Sequence, residues 1–159
     1  MDFYGFYTGK EFEAYRFLGA HACEKGTVFR TFAPNAQRIS LIGEFNGWQE
    51  TPMQKVHHGH FWECYAENAQ KGMMYKYKIY GADGSCIDHC DPYGFYAELR
   101  PNSASIIYDT TNYHFTDGEW MKKRSIHREA PLNIYEVHFG SWRKKVNDDP
   151  VSYTHLTLP

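Results

Sequence analysis

The sequence predicts an all-β fold: an immunoglobulin-like β-sandwich over residues 20–110, then a linker, then the first strand of something larger. Three observations carry that prediction. Short apolar runs of strand composition recur between Gly26 and Tyr108, separated by turn residues. Aromatic residues make up 18% of the chain, with 13 Tyr and 11 Phe, and such side chains favour pleated surfaces. From Pro131 the pattern changes to a run with bulky residues on both faces, which suits a parallel strand covered by helices.

Each element follows from its residues. Residues 1–19 form a lead-in, and residues 11–22 are expected to hold one short amphipathic turn or helix ending near Gly19. From Gly26 the period becomes two. Residues 27–32 read as a strand closed by the turn formers Pro34 and Asn35, and residues 38–42 as a second apolar run. The loop Gly43-Glu44-Phe45-Asn46-Gly47-Trp48 follows. Residues 61–66 alternate Phe61, Glu63 and Tyr65 against Trp62 and Cys64. Residues 73–80 are the most regular strand: Met73, Tyr75, Tyr77 and Ile79 share one face, and Met74, Lys76, Lys78 and Tyr80 the other. Gly81-Ala82-Asp83-Gly84 is a hairpin signal, with residues 85–87 as the returning strand. Asp91-Pro92-Tyr93-Gly94 breaks the chain before a last strand at 104–108. Residues 111–130 are polar and read as a linker, with a short helix over 119–128.

The strand that opens the second domain, residues 132–139, begins a region assigned to 131–150. Residues 151–159, Val-Ser-Tyr-Thr-His-Leu-Thr-Leu-Pro, read as the translation of a sequencing adapter and are excluded from functional reasoning. The abrupt ending is therefore expected to reflect a truncated gene read.

Bulk properties narrow the function. A net charge of −2 and no basic run longer than Lys122-Lys123-Arg124 give no basis for nucleic-acid binding. No stretch approaches the ~20 apolar residues that span a membrane, and the N-terminus lacks the features of a signal peptide. Four cysteines (Cys23, Cys64, Cys86, Cys90) are too few for a dense disulfide framework, so free thiols and a cytoplasmic location are expected. Cys86 and Cys90 beside His89, with His57, His58 and His60, are a weak zinc pattern, because no second cysteine pair exists. No Gly-rich phosphate loop follows a strand.

Several segments together resemble the N-terminal part of the 1,4-α-glucan (glycogen) branching enzymes of the α-amylase superfamily. Tyr15-Arg16-Phe17-Leu18-Gly19-Ala20-His21 resembles their lead-in. Thr31-Phe32-Ala33-Pro34-Asn35-Ala36 and Gly43-Glu44-Phe45-Asn46-Gly47-Trp48 resemble the core of their family-48-type carbohydrate-binding module. Asp91-Pro92-Tyr93-Gly94-Phe95-Tyr96, with Glu98, Arg100-Pro101 and Ala104-Ser105, is narrower. Tyr135-Glu136-Val137-His138-Phe139-Gly140-Ser141-Trp142 is narrower still, and its Ser-Trp ending separates branching enzymes from debranching and trehalose-releasing relatives. A non-catalytic glycogen-binding subunit would have no reason to carry it.

The resemblance implies an α-glucan partner, no metal or organic cofactor, and a strand at 131–150 that begins a truncated (β/α)8 barrel. Retaining transfer needs two carboxyl groups about 5–5.5 Å apart. Asp88 and Asp91 flank a turn, and Asp148-Asp149 lie in a polar tail, so no catalytic residue is assigned. His138 and Glu136 sit on the barrel strand, where packing and an active-site floor are both open. Two residues are the carbohydrate-binding candidates: Trp48, whose indole can stack on a glucose ring, and Lys76, matching a lysine that related modules aim at sugar hydroxyls. The competing roles are an end plug made by Phe45 and Trp48 together, and a solvated strand face for Lys76. The second stacking tryptophan of those modules should fall near Cys86-Ile87, and their sugar-binding Asn at Ser105. Neither is present, which leaves a mainly structural module as the alternative.

Overall fold

The computed structural model describes residues 1–111, 113–124, 131 and 133–137. Residues 1–113 form one compact unit and residues 114–159 a second.

The first unit is built on ten strands: β1 (Gly19–Cys23), β2 (Gly26–Phe32), β3 (Arg38–Gly43), β4 (Thr51–Pro52), β5 (Gln54–Val56), β6 (Phe61–Ala66), β7 (Met74–Tyr80), β8 (Cys86–His89), β9 (Tyr96–Ala97) and β10 (Ser105–Ile106). One sheet runs β1-β2-β6-β5 and the other β4-β3-β7-β10-β9, with β8 also paired to β7. All pairings are antiparallel. The core takes Phe29, Trp62 and Cys64 from the first sheet and Ile39, Leu41, Tyr75 and Tyr77 from the second. Inner faces of two sheets meeting on a shared core is the definition of a sandwich, so the predicted fold class holds for this unit.

Period two explains the strands locally. On β2, Thr27, Phe29 and Thr31 are buried while Val28, Arg30 and Phe32 are partly exposed. An inward threonine needs a partner, and the Thr27 hydroxyl donates to the Ala69 carbonyl at 2.8 Å. On β7, Tyr75 and Tyr77 are fully buried, and Lys76 and Lys78 alternate with them on the outer face. The Gly81–Gly84 turn joins β7 to β8 with Tyr80 opposite Cys86, as the hairpin signal predicts.

The lead-in departs from expectation. A short helix α1 (Phe3–Tyr7) precedes a single 3₁₀ turn at Ala14–Arg16, and residues 19–23 are strand β1, where the end of a helix is expected. Leu18 and Phe61 are fully buried in a second cluster with Phe3, Phe6, Phe17 and Phe32. The aromatic residues of the lead-in therefore roof the outer face of the first sheet. Pairing with β2 over Gly19↔Arg30 to Cys23↔Gly26 overrides the helical spacing of 11–22.

In the second unit, α2 (Gly118–Lys123) is the predicted helix, in shorter form. Residues 133–137 are not a strand, and Ile134 is 86% exposed. Strand backbone needs a neighbour for its N–H and C=O groups, and no ladder among the described residues includes them. The readings placed on His138, on residues 138–150 and on the tail at 151–159 lie outside the described residues.

Candidate functional site

The loop between β3 and β4 is fixed by its own residues. Gly43 lies so close to β7 that a Cβ there would sit 2.6 Å from the Met74 carbonyl oxygen. Asn46 then closes the turn: its Oδ1 accepts the Gly43 N–H at 3.0 Å, and its Nδ2 donates to the Leu41 carbonyl and the Thr51 hydroxyl. A Glu44 carboxylate oxygen accepts the Met74 N–H at 2.8 Å. Gly47 and Trp48 are both left-handed, with φ of 63° and 61°. A tryptophan in that region costs on the order of 1–3 kcal/mol and persists only where surrounding bonds dictate it. Here the Trp48 N–H donates to the Gly43 carbonyl at 2.8 Å.

This loop divides the labour of its two aromatics. Phe45 packs inward, its ring 5.4 Å from that of buried Phe29. Trp48 stays 41% exposed. The sandwich end is therefore plugged by Phe45, while the indole of Trp48 presents surface to solvent.

Lys76 lies at the same end of the β3–β7 pair. It is paired with Ile42, next to the Gly43↔Tyr75 pair whose glycine holds the Trp48 amide. Its ammonium donates to the Ser103 hydroxyl at 3.1 Å, which orients it along the outer face. Further along the same face, Glu50 accepts the Tyr80 hydroxyl at 2.6 Å and the Ser40 hydroxyl at 2.9 Å. These two bonds, Tyr80 first, hold the Glu50 carboxyl below its usual range, and the same contact pushes Tyr80 up to about 12. Lys78 stands 3.9 Å from both Glu50 and Asp88. Alternation predicted Lys76, Lys78 and Tyr80 on one face. It gave no sign that Glu50, ten residues from Ser40, would return to join them.

Cys86 and Ile87 are exposed on β8 and offer no ring. Ser105 is only 2% exposed, and its hydroxyl accepts the Asp91 N–H at 2.8 Å, so it faces inward. Asp91 belongs to the interior: Oδ2 accepts the hydroxyls of Tyr75 and Tyr77 at 2.7 and 3.0 Å, and Oδ1 accepts the Tyr93 N–H at 2.8 Å. The His57 ring lies 4.0 Å from that of Phe3. Among the described residues no cluster of three or more His, Cys, Asp or Glu is placed to hold a metal, and no helix is long and apolar enough to cross a membrane.

Residues 17–94 match carbohydrate-binding module 48, the isoamylase N-terminal domain. The chain is 37% identical over 166 residues to 1,4-alpha-glucan branching enzyme GlgB 1 of Clostridium perfringens, covering 99% of this chain and 25% of the relative. It is 41% identical to branching enzyme GlgB of Francisella tularensis, covering 100% and 27%. The chain thus spans about a quarter of the length of the curated relatives it matches. Among solved structures, PulA of Klebsiella oxytoca superposes with a TM-score of 0.50 at 23% identity, over 58% of this chain and 9% of that one. A Salmonella typhimurium protein provisionally assigned as an alpha amylase gives 0.51 at 21%, over 65% and 16%. These two likenesses speak for the fold alone. Residues 17–94 thus match carbohydrate-binding module 48, and the chain is similar along nearly its whole length to about a quarter of the 1,4-alpha-glucan branching enzymes.

Proposed function

We propose that this chain is the glucan-binding N-terminal part of a cytoplasmic 1,4-alpha-glucan branching enzyme. In this reading residues 20–110 are the module and 111–130 a linker, while 131–150 begin the (β/α)8 barrel. The observation that carries it is Trp48: an exposed indole in a left-handed conformation, on a loop whose anchoring Gly43 is one register pair from the oriented Lys76. The indole stacks on the apolar face of a glucose ring, and Lys76 donates to its hydroxyls. The whole enzyme cleaves an α-1,4-glucan and passes the released segment to a 6-hydroxyl, making an α-1,6 branch. A retaining double displacement of that kind needs two carboxyl groups about 5–5.5 Å apart, which belong to the barrel. Four free cysteines support the cytoplasmic assignment.

Two measurements test this. Glycogen co-sedimentation should fall on Trp48→Ala by roughly thirtyfold in affinity, the about 2 kcal/mol of an aromatic anchor. Equal sedimentation of both proteins refutes the binding role. The purified 159-residue chain should produce no shift in the iodine stain of amylose, and a measurable shift would place catalytic groups within it.

A further inference from the structure

The outer face of β3 and β7 does not end at Lys76. Arg38 and Tyr80 are paired across the two strands, four register steps beyond Ile42 and Lys76 and therefore on the same face. The Arg38 guanidinium carbon sits 3.8 Å from the Tyr80 ring centroid, in stacking contact. The Tyr80 ring is itself held by the bond from its hydroxyl to Glu50. The Arg38 side chain nevertheless remains 54% exposed, and its one polar contact among the described residues is a 3.7 Å approach to Glu50.

A guanidinium carries five N–H donors in a fixed plane. Here its carbon lies over an aromatic ring, and among the described residues its donors meet only Glu50. Immobilising a long side chain before a ligand arrives lowers the entropic cost of using it. A stacked arginine also forms planar, paired hydrogen bonds that lysine cannot reproduce. The distance matters too. Four residues along β7 separate Tyr80 from Lys76, roughly 13 Å of strand at about 3.3 Å per residue. That is the span of a short oligosaccharide and exceeds a single sugar ring.

We infer that Arg38, held over the Tyr80 ring and close to Glu50, is a distal subsite that binds the hydroxyls of an α-glucan chain extending from Trp48 and Lys76 along β7. This rests on the glucan-binding reading above and lengthens its site. It also accounts for a site that functions without an aromatic at Cys86-Ile87, since Cys86 lies directly opposite Tyr80 in the β7–β8 ladder. The second contact is supplied from β3 and β7, with no ring needed from β8.

Calorimetric titration of the full chain with maltotriose and with maltoheptaose separates the two ideas. Arg38→Ala should weaken maltoheptaose by roughly tenfold, the scale of a lost charge-assisted hydrogen bond, and leave maltotriose within about twofold. Arg38→Lys should recover only part of the loss, and thermal melts of both variants should match wild type. Trp48→Ala should weaken both sugars. Unchanged maltoheptaose affinity in Arg38→Ala, with Trp48→Ala impaired, overturns the distal subsite alone. Equal losses for both sugars overturn its distal placement. Wild type that binds neither sugar overturns the underlying reading and this inference together.

Discussion

Asp91→Ala is expected to destabilise the sandwich by about 2–6 kcal/mol, because it strips the acceptor from two buried hydroxyls at about 1–3 kcal/mol each. Asp91 is 6% exposed, and Tyr75 and Tyr77, which donate to it, are fully buried. Burial pushes both tyrosine hydroxyls well above their ordinary range, so they remain donors at any working pH. Neither has water to turn to once the carboxyl group is gone. Domains of this size hold only about 5–15 kcal/mol, so the variant should melt far earlier or fail to accumulate. Removing the orphaned donors is the control. In Asp91→Ala combined with Tyr75→Phe and Tyr77→Phe, much of the loss should return, since deleting both partners of a buried bond is far less damaging than deleting one. A triple variant no more stable than the single one would show that the carboxyl group is not acting through the tyrosines.

The pH dependence of that cost has a definite sign. Burial raises the Asp91 carboxyl above its ordinary 3.8, outweighing the bonds from Tyr75, Tyr93 and Tyr77 that pull it down. The folded protein therefore holds this proton more tightly than the unfolded chain. The stabilisation linked to it is complete below the unfolded value and is lost as pH rises through the folded one. Urea melts of wild type and Asp91→Ala, compared across this window, should show a difference that shrinks with rising pH. Glu11, Glu50 and Asp83 are shifted downward and slope the other way, but they are common to both proteins and cancel. A difference that grows with pH would mean that the hydrogen bonds outweigh burial.

Asp91 also marks how far the sequence could be read. Alternation placed Tyr75 and Tyr77 on the core face of β7 and Lys76 and Lys78 on the other, because period two is a property of neighbours. What their hydroxyls would meet depends on the Asp91–Tyr93 turn, more than ten residues away, and the chain order alone carried no trace of it. The same limit applied at the lead-in. Phe3, Phe6 and Phe17 have helical spacing in part, but their role as a roof depends on Phe32 and Phe61 lying beneath them. Of the candidate site, Trp48 was legible because an indole in a loop can stack on a glucose ring. Arg38, Tyr80 and Glu50 were not, since β3, β7 and the loop before β4 must first be aligned before they meet.

Phe29→Ala tests whether the site depends on the core beneath it. Phe29 is fully buried between the rings of Tyr75, at 4.8 Å, and Phe45, at 5.4 Å. Truncation should cost about 3–5 kcal/mol in lost burial and a residual cavity. The apparent Tm should then fall by more than roughly 10 °C. Because Phe45 anchors the loop that holds Trp48 in its left-handed conformation, glycogen co-sedimentation should also fall severalfold at temperatures where the variant is still folded. Phe29→Leu keeps most of the volume and should retain binding at a smaller loss of stability. Trp48→Ala gives the opposite pattern, losing binding with little change in Tm. If Phe29→Ala melts as expected yet binds glycogen as wild type does, the Asn46 bonds to Gly43, Leu41 and Thr51 are sufficient to aim the indole. Phe45 would then be a plug for the core and nothing more.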